Sequence, residues 1–152
     1  MTQTVSLRFH GLPGSQAGLA RSGRHTLIAD RPEGTAGGQG LGFNGAELLS
    51  AALGGCFWND LHYTAAALGH ALSSVEVAVE LTLSGTPLRV TAAAIRTHVK
   101  AESVEQARVC FEAACRKTTI ANSMLGAFPI SFGLEEQMAD QPGLAVSGSP
   151  LA

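Results

Sequence analysis

The segment that most constrains the fold of this chain is a long apolar helix pattern, which begins near Asn44 and runs to about Gly69. Asn44 is a suitable N-cap, and Glu47 three residues later completes a capping box at the positive end of the helix. Both sides of the first half are apolar, so we expect this half to be covered nearly all round. In a domain of this size, a second subunit could supply part of that cover.

Two adjacent glycines, Gly54 and Gly55, precede Cys56 in the middle of this helix. Glycine costs about 1 kcal/mol relative to alanine in a helix interior, so the pair indicates that another element approaches the backbone closely. Free cysteine is among the most buried residue types. From the residues alone, Cys56 is therefore either a packing residue or a reactive centre in a tailored pocket.

Reactivity at Cys56 would require a thiolate, and hence a nearby cation or helix N-terminus. Cys56 lies about three turns from the positive end of its helix, so the helix dipole alone is not enough. Asp60 lies one turn further on nearly the same face and opposes a thiolate by its like charge. A cation must come from elsewhere, and the sequence favours Arg21 or Arg24.

Alternation of apolar and polar residues predicts five strands outside this helix. We expect them at residues 4–10, 24–30, 74–83, 88–99 and 127–134. Gly, Ser and Pro content predicts loops at residues 11–23 and 31–42.

A second helix is predicted after Ser103, where Gln106 completes an S-x-x-Q capping signal, and it should end near Lys117. Its expected buried stripe consists of Val104, Ala107, Phe111 and Ala114. The order β-β-α-β-β-α-β predicts an α+β fold with antiparallel sheets packed on the long central helix. We expect a single domain over residues 1–136 and a C-terminal tail over residues 137–152.

Composition excludes several classes of partner. Charged residues make up only 14% of the chain, so part of the surface is expected to be hidden in an oligomer. The 10 basic residues are scattered, which argues against nucleic acid. No run is long enough to span a bilayer, and the first residues lack a signal pattern. The five histidines lack metal-ligand spacing, so we expect no metal site. We expect no other cofactor either.

The three cysteines show no disulfide-framework spacing, which predicts a reducing, cytoplasmic location. Cys110 and Cys115 are five residues apart on the second helix, so their Cα atoms should be about 8 Å apart, too far for a disulfide. If either pairs with another cysteine, that cysteine is Cys56. Cys110 is interpreted as a core filler, whereas Cys115 lies near the helix end, where movement is easier.

The segment GRHTLIADRPEGTAGGQGLGFNGAELLSAALGGCF resembles the OsmC/Ohr family of organic-hydroperoxide and osmotic-stress proteins. It is most similar to the short OsmC-like redox proteins with an N-P-x-E-L-L-x-A-A-L-x-x-C core. The resemblance continues through the hairpin and second helix to TTIANSMLGAFPISFGLE, covering about residues 24–135. It implies an intertwined homodimer whose two long central helices pack together, with a site at each interface.

The resemblance also implies a reaction. In active family members one cysteine attacks the peroxide oxygen and becomes a sulfenic acid, which a second cysteine converts to a disulfide. An external dithiol then reduces the pair. An arginine and a glutamate orient the thiolate, and apolar walls favour organic hydroperoxides.

Carried over residue by residue, Cys56 matches the peroxidatic cysteine of the family. The catalytic glutamate falls at Ala46, and Glu47, which matches the neighbouring position, is our candidate carboxylate. The resolving cysteine falls at Thr118. Cys115, one helical turn earlier, could take that role instead.

Arg24 is our first candidate for the thiolate-stabilising arginine, with Arg21 as the second. Together these residues predict a thiol-dependent enzyme that reduces organic hydroperoxides in oxidative stress defence. The alternative is a non-catalytic dimer of the same fold that binds a small apolar ligand in its interface pocket, with Cys56 as a packing residue.

Overall fold

The computed structural model describes residues 2–136, so the predicted tail at residues 137–152 lies outside the described residues. The described residues form an α+β fold, as predicted. In chain order the elements are β1 (Arg8–Gly11), β2 (Gly18–Ser22), β3 (His25–Ala29), α1 (Gly45–Leu68), β4 (Leu72–Ser84), β5 (Arg89–Ala101), α2 (Val104–Lys117), α3 (Thr119–Met124) and β6 (Ile130–Glu135).

The chain divides between Ala51 and Ala52 into two compact units. In the first unit, β1, β2 and β3 form a three-stranded antiparallel sheet with β2 in the centre. The prediction of a continuous loop over residues 11–23 is therefore wrong, because β2 lies inside it. Its sequence, GLARS, has a glycine, an alanine and only one large apolar residue, so the alternation that marks a strand is absent, although Ala20 is fully buried.

Asp30 organises the long connection between β3 and α1. Its carboxylate accepts hydrogen bonds from the backbone N–H groups of Gln39 and Leu41, at 3.0 and 3.1 Å, and of Arg31 at 2.8 Å. These bonds, those from Gln39 and Leu41 foremost, hold the pKa of Asp30 below its ordinary value of 3.8. One buried side chain thus orders a glycine-rich segment that has no secondary structure of its own.

The predicted capping box at the start of α1 is confirmed. Asn44 Oδ1 accepts hydrogen bonds from the N–H groups of Ala46 and Glu47, at 2.9 and 3.1 Å. Glu47 Oε2 in turn accepts one from the N–H of Asn44 at 2.7 Å. These bonds satisfy backbone donors that have no partner inside the helix, which fixes where α1 begins.

In the second unit, β4, β5 and β6 form a sheet in that order. The predicted hairpin is confirmed, since β4 pairs with β5 antiparallel and Gly85 occupies the turn with φ of +94°. However, β6 pairs with β5 parallel, so the expectation of entirely antiparallel sheets is wrong here. Parallel neighbours need a long crossover connection, and α2 and α3 provide it.

Ser103 caps α2 as predicted, accepting a hydrogen bond from the N–H of Gln106 at 3.2 Å. The buried stripe of α2 starts one turn later than predicted, because Val104 in the first turn is 85% exposed. The residues that pack inward are Ala107, Cys110, Phe111 and Ala114. The short helix α3 was not predicted.

Gly54 on α1 lies against β4. A Cβ atom at this position would be 3.0 Å from Val79 Cγ2, which is closer than ordinary contact. The prediction that the glycine pair permits a close approach is therefore confirmed at Gly54, where the neighbour is a strand of the same chain. Gly55 has no heavy atom within 4 Å of such a Cβ.

Among the described residues, one side of α1 is covered and the other is exposed. Leu53, Phe57 and Leu61 on the covered side are fully buried. On the other side, Ala51, Ala52 and Gly55 in the first half of the helix are exposed. Further along, Trp58 is 41% and Tyr63 is 72% exposed. Residues 2–136 thus do not cover α1 all round, and cover by a second subunit stays a prediction.

Candidate functional site

Two polar side chains hold the Cys56 thiol within the second unit. Its Sγ donates a hydrogen bond to Asp60 Oδ2 at 3.5 Å and accepts one from Thr118 Oγ1 at 3.7 Å. Asp60 reaches the sulfur because residues four apart lie on the same face of a helix. Cys56 is partly exposed, whereas Thr118 is fully buried. A half-buried thiol between a carboxylate and a hydroxyl group differs from an inert core cysteine, which has apolar neighbours.

The junction of α2 and α3 places Thr118. Its backbone N–H donates to the carbonyl of Ala114 at 2.9 Å, closing the last turn of α2, and its carbonyl accepts from the N–H of Asn122 at 3.2 Å. Phe57, next to Cys56, packs edge-on against Phe111 of α2 with ring centroids 5.9 Å apart. These contacts fix α1 and the α2–α3 junction relative to each other, so the position of Thr118 near Cys56 is built into the core.

The other two cysteines are free thiols that differ in burial. Cys110 is fully buried, as expected of a core filler. Cys115 is half-buried, and burial raises the pKa of its thiol to about 11. A thiol with so high a pKa is mostly protonated near neutral pH, which slows its attack on a sulfenic acid. The role of Cys115 as resolving residue stays a prediction, and the raised pKa of its thiol argues against it.

Two further predicted site residues, Glu47 and Arg24, lie in the first unit. Glu47 is engaged in the capping box of α1. Arg24 lies in the exposed turn between β2 and β3. Their proposed roles toward Cys56 stay predictions. Within residues 52–136, no arginine or lysine hydrogen-bonds to the Cys56 sulfur.

A cavity of about 540 Å³ lies at the opposite end of α2 from Thr118. It is lined by the ends of β5 and β6 and the first turn of α2, including His98, Lys100, Val104 and Leu134. It contains none of the predicted site residues. Among the described residues no cluster of His, Cys, Asp and Glu could hold a metal ion, and no helix is long and apolar enough to cross a membrane.

Comparison with known protein families identifies the family of this chain. Residues 37–133 match the model of the family described as OsmC-like protein, which is well over half of the chain. This chain belongs to the OsmC-like family. No curated protein sequence matches it.

Solved structures carry the same OsmC-like fold at low sequence identity. An OsmC-like protein from Mycoplasma pneumoniae superposes with a TM-score of 0.74 at 15% identity, covering 89% of this chain and 98% of that one. An organic hydroperoxide resistance protein OsmC from Legionella pneumophila gives 0.68 at 20% identity, covering 89% and 98%. OhrB of Bacillus subtilis, an organic hydroperoxide resistance protein, gives 0.63 at 18% identity, covering 88% and 98%.

In this OsmC-like chain, the structure changes the interpretation of Asp60. Asp60 was predicted only to oppose a thiolate, yet it accepts the S–H hydrogen bond of Cys56. The i,i+4 spacing on one helix face was the available signal. The position of Thr118 was suggested by the family motif alone, and the 3.7 Å contact with Cys56 agrees with it.

Proposed function

We propose that this protein is a thiol-dependent peroxidase that reduces organic hydroperoxides, with Cys56 as the nucleophile. Membership of the OsmC-like family and the likeness to organic hydroperoxide resistance proteins favour a redox role. The observation that carries the proposal is the polar setting of Cys56, whose sulfur contacts Asp60 and Thr118. A cysteine that only fills space needs neither contact.

The reaction begins with attack of the Cys56 sulfur on the terminal oxygen of a hydroperoxide. This step forms a sulfenic acid on Cys56 and releases the corresponding alcohol. Thr118 cannot form a disulfide, so the side chain that the α2–α3 junction places beside the Cys56 sulfur cannot resolve the sulfenic acid. An external thiol therefore attacks the sulfenic acid to give a mixed disulfide, and a second thiol releases Cys56.

We propose that the protein acts as a homodimer. Support comes from the exposed side of α1, where the small residues Ala52 and Gly55 are exposed and are followed by the exposed aromatic residues Trp58 and Tyr63. Exposed aromatic side chains beside a flat patch of small residues are typical of helix–helix interfaces. Light scattering should give twice the mass of the chain, and Gly55→Glu should give the mass of one chain because it places a charge in the interface. A monomeric wild-type protein would contradict the dimer.

The peroxidase proposal is tested by turnover of cumene hydroperoxide with a dithiol reductant. Cys56→Ser should abolish consumption of the peroxide, because a serine hydroxyl cannot form a sulfenic acid. Cys110→Ser is the matched control, since that thiol is buried in the core and should not be needed for turnover. Unchanged turnover in Cys56→Ser would contradict the role of Cys56 as nucleophile. No turnover in the wild-type protein would favour the non-catalytic alternative.

A further inference from the structure

The contact between Cys56 and Asp60 has no structural purpose that the surrounding residues reveal. Asp60 forms no salt bridge with any of the described residues, and it caps no helix end. Its carboxylate accepts a hydrogen bond from the Cys56 thiol, at 3.5 Å. A carboxylate placed this close to a thiolate raises the free energy of that thiolate by like-charge repulsion. The geometry therefore places the S–H group of Cys56 against a carboxylate that can accept its proton.

We propose that Asp60 is a catalytic residue that carries the thiol proton to the leaving oxygen of the substrate. This inference rests on the proposed peroxidase function. The family resemblance implies a glutamate at a position where this chain has Ala46, so a carboxylate is missing there. Asp60 supplies a carboxylate from the other side of Cys56, one helical turn after it.

The proposed step balances in protons and electrons. The Cys56 proton moves to Asp60 Oδ2 as the sulfur attacks the terminal oxygen of R–O–O–H. An S–O bond forms and the O–O bond breaks, so the sulfur is oxidised to a sulfenic acid and the peroxide is reduced by one electron pair. The departing alkoxide takes the proton from Asp60 and leaves as the alcohol, which returns the carboxylate to its starting state.

The pair has a physical advantage over an isolated thiolate. A free alkoxide is a very strong base, so breaking the O–O bond without a proton donor is costly. Proton transfer by a positioned group typically accelerates such steps by about 100-fold to 10,000-fold. Because the proton passes from sulfur to carboxylate to alkoxide, the pair carries a single negative charge until the O–O bond breaks. Thr118 supports this arrangement, since its hydroxyl donates to the sulfur that acquires the charge.

The test compares two peroxides whose leaving groups differ in basicity, using Asp60→Asn, which keeps the shape of the side chain. With tert-butyl hydroperoxide the leaving group is an alkoxide, so the rate of Cys56 oxidation should fall about 100-fold or more. With peracetic acid the leaving group is acetate, which needs no proton, so the loss should be less than about tenfold. Alkylation of Cys56 by iodoacetamide should not become slower, because the variant removes a like charge beside the thiolate.

A matched control is Glu76→Gln, which removes a negative charge from an exposed position on β4 and should leave all three rates unchanged. An equal loss with both peroxides would overturn the inference, because it would indicate damage to the site and not a missing proton. A wild-type rate with tert-butyl hydroperoxide would overturn it as well. Neither result would contradict the peroxidase proposal, which the Cys56→Ser variant tests separately.

Discussion

Replacing Thr118 by cysteine should place a second thiol where it can form a disulfide with Cys56. Thr118 Oγ1 lies 3.7 Å from Cys56 Sγ, and a cysteine sulfur attached to the same Cβ reaches further than an oxygen. The S–S bond length is about 2.05 Å, so closing the gap needs about 1.5 Å of adjustment, which side-chain rotation can supply. This change would restore the residue type that the family resemblance implies at Thr118.

The expected effect on stability follows from the size of the closed loop. Cys56 and Thr118 are 62 residues apart in sequence. The chain-entropy model gives about 4 kcal/mol for a loop of this length, and strain reduces the realised gain, so we expect about 2–4 kcal/mol. For a typical urea dependence of about 2 kcal/mol per M, the unfolding midpoint should rise by about 1–2 M on oxidation.

The assay compares oxidised and reduced Thr118→Cys in urea, with peptide mapping to locate the disulfide. Cys115→Ser is included in the same chain to exclude a bond between positions 115 and 118. Thr118→Ser is the control, since it keeps the hydroxyl and should show no dependence on oxidation. If peroxide leaves positions 56 and 118 as free or singly oxidised thiols in the variant, the placement of Thr118 beside Cys56 is wrong.

Two predictions concern stability away from Cys56. Asp30→Asn should destabilise the protein near pH 7. The pKa of Asp30 is lower in the folded than in the unfolded chain, so the ionised carboxylate stabilises the folded state at pH values above the unfolded pKa of about 4. That contribution is lost as the pH falls below the unfolded pKa and through the lowered folded pKa. The difference in urea midpoint should therefore shrink below about pH 4, and a constant difference would refute the sign. Gly54→Ala should forfeit the roughly 1 kcal/mol that alanine normally gains in a helix, since its Cβ meets Val79 at 3.0 Å. In a double-mutant cycle with Val79→Ala, a favourable coupling of about 1 kcal/mol is expected, and simple additivity would show that the close approach is unimportant.

The elements that the sequence predicts well are those in which pattern and packing agree. The helix from Gly45 is a long apolar run with a capping box at its start. The hairpin of β4 and β5 alternates regularly and has a glycine in its turn. The strand β2 escapes prediction because glycine and alanine give no alternation, and pairing with both neighbours provides its stability instead. The parallel pairing of β6 depends on how the chain crosses over, which local pattern does not record.

The candidate site shows the same division. The family motif points to Cys56 and to Thr118, and these two residues do meet. The role of Asp60 requires three-dimensional information, because a carboxylate one turn from a thiol is equally consistent with repulsion and with a hydrogen bond. Only the direction of the side chains decides, and it gives a contact of 3.5 Å.

The central claim, that Cys56 reduces organic hydroperoxides, is tested most directly by a single-turnover measurement. The protein is treated with one equivalent of cumene hydroperoxide in the presence of dimedone, and the modified cysteine is located by peptide mass spectrometry. We predict that one equivalent of peroxide is consumed and that the dimedone adduct lies on Cys56. Unconsumed peroxide, or adducts confined to Cys110 and Cys115, would contradict the claim.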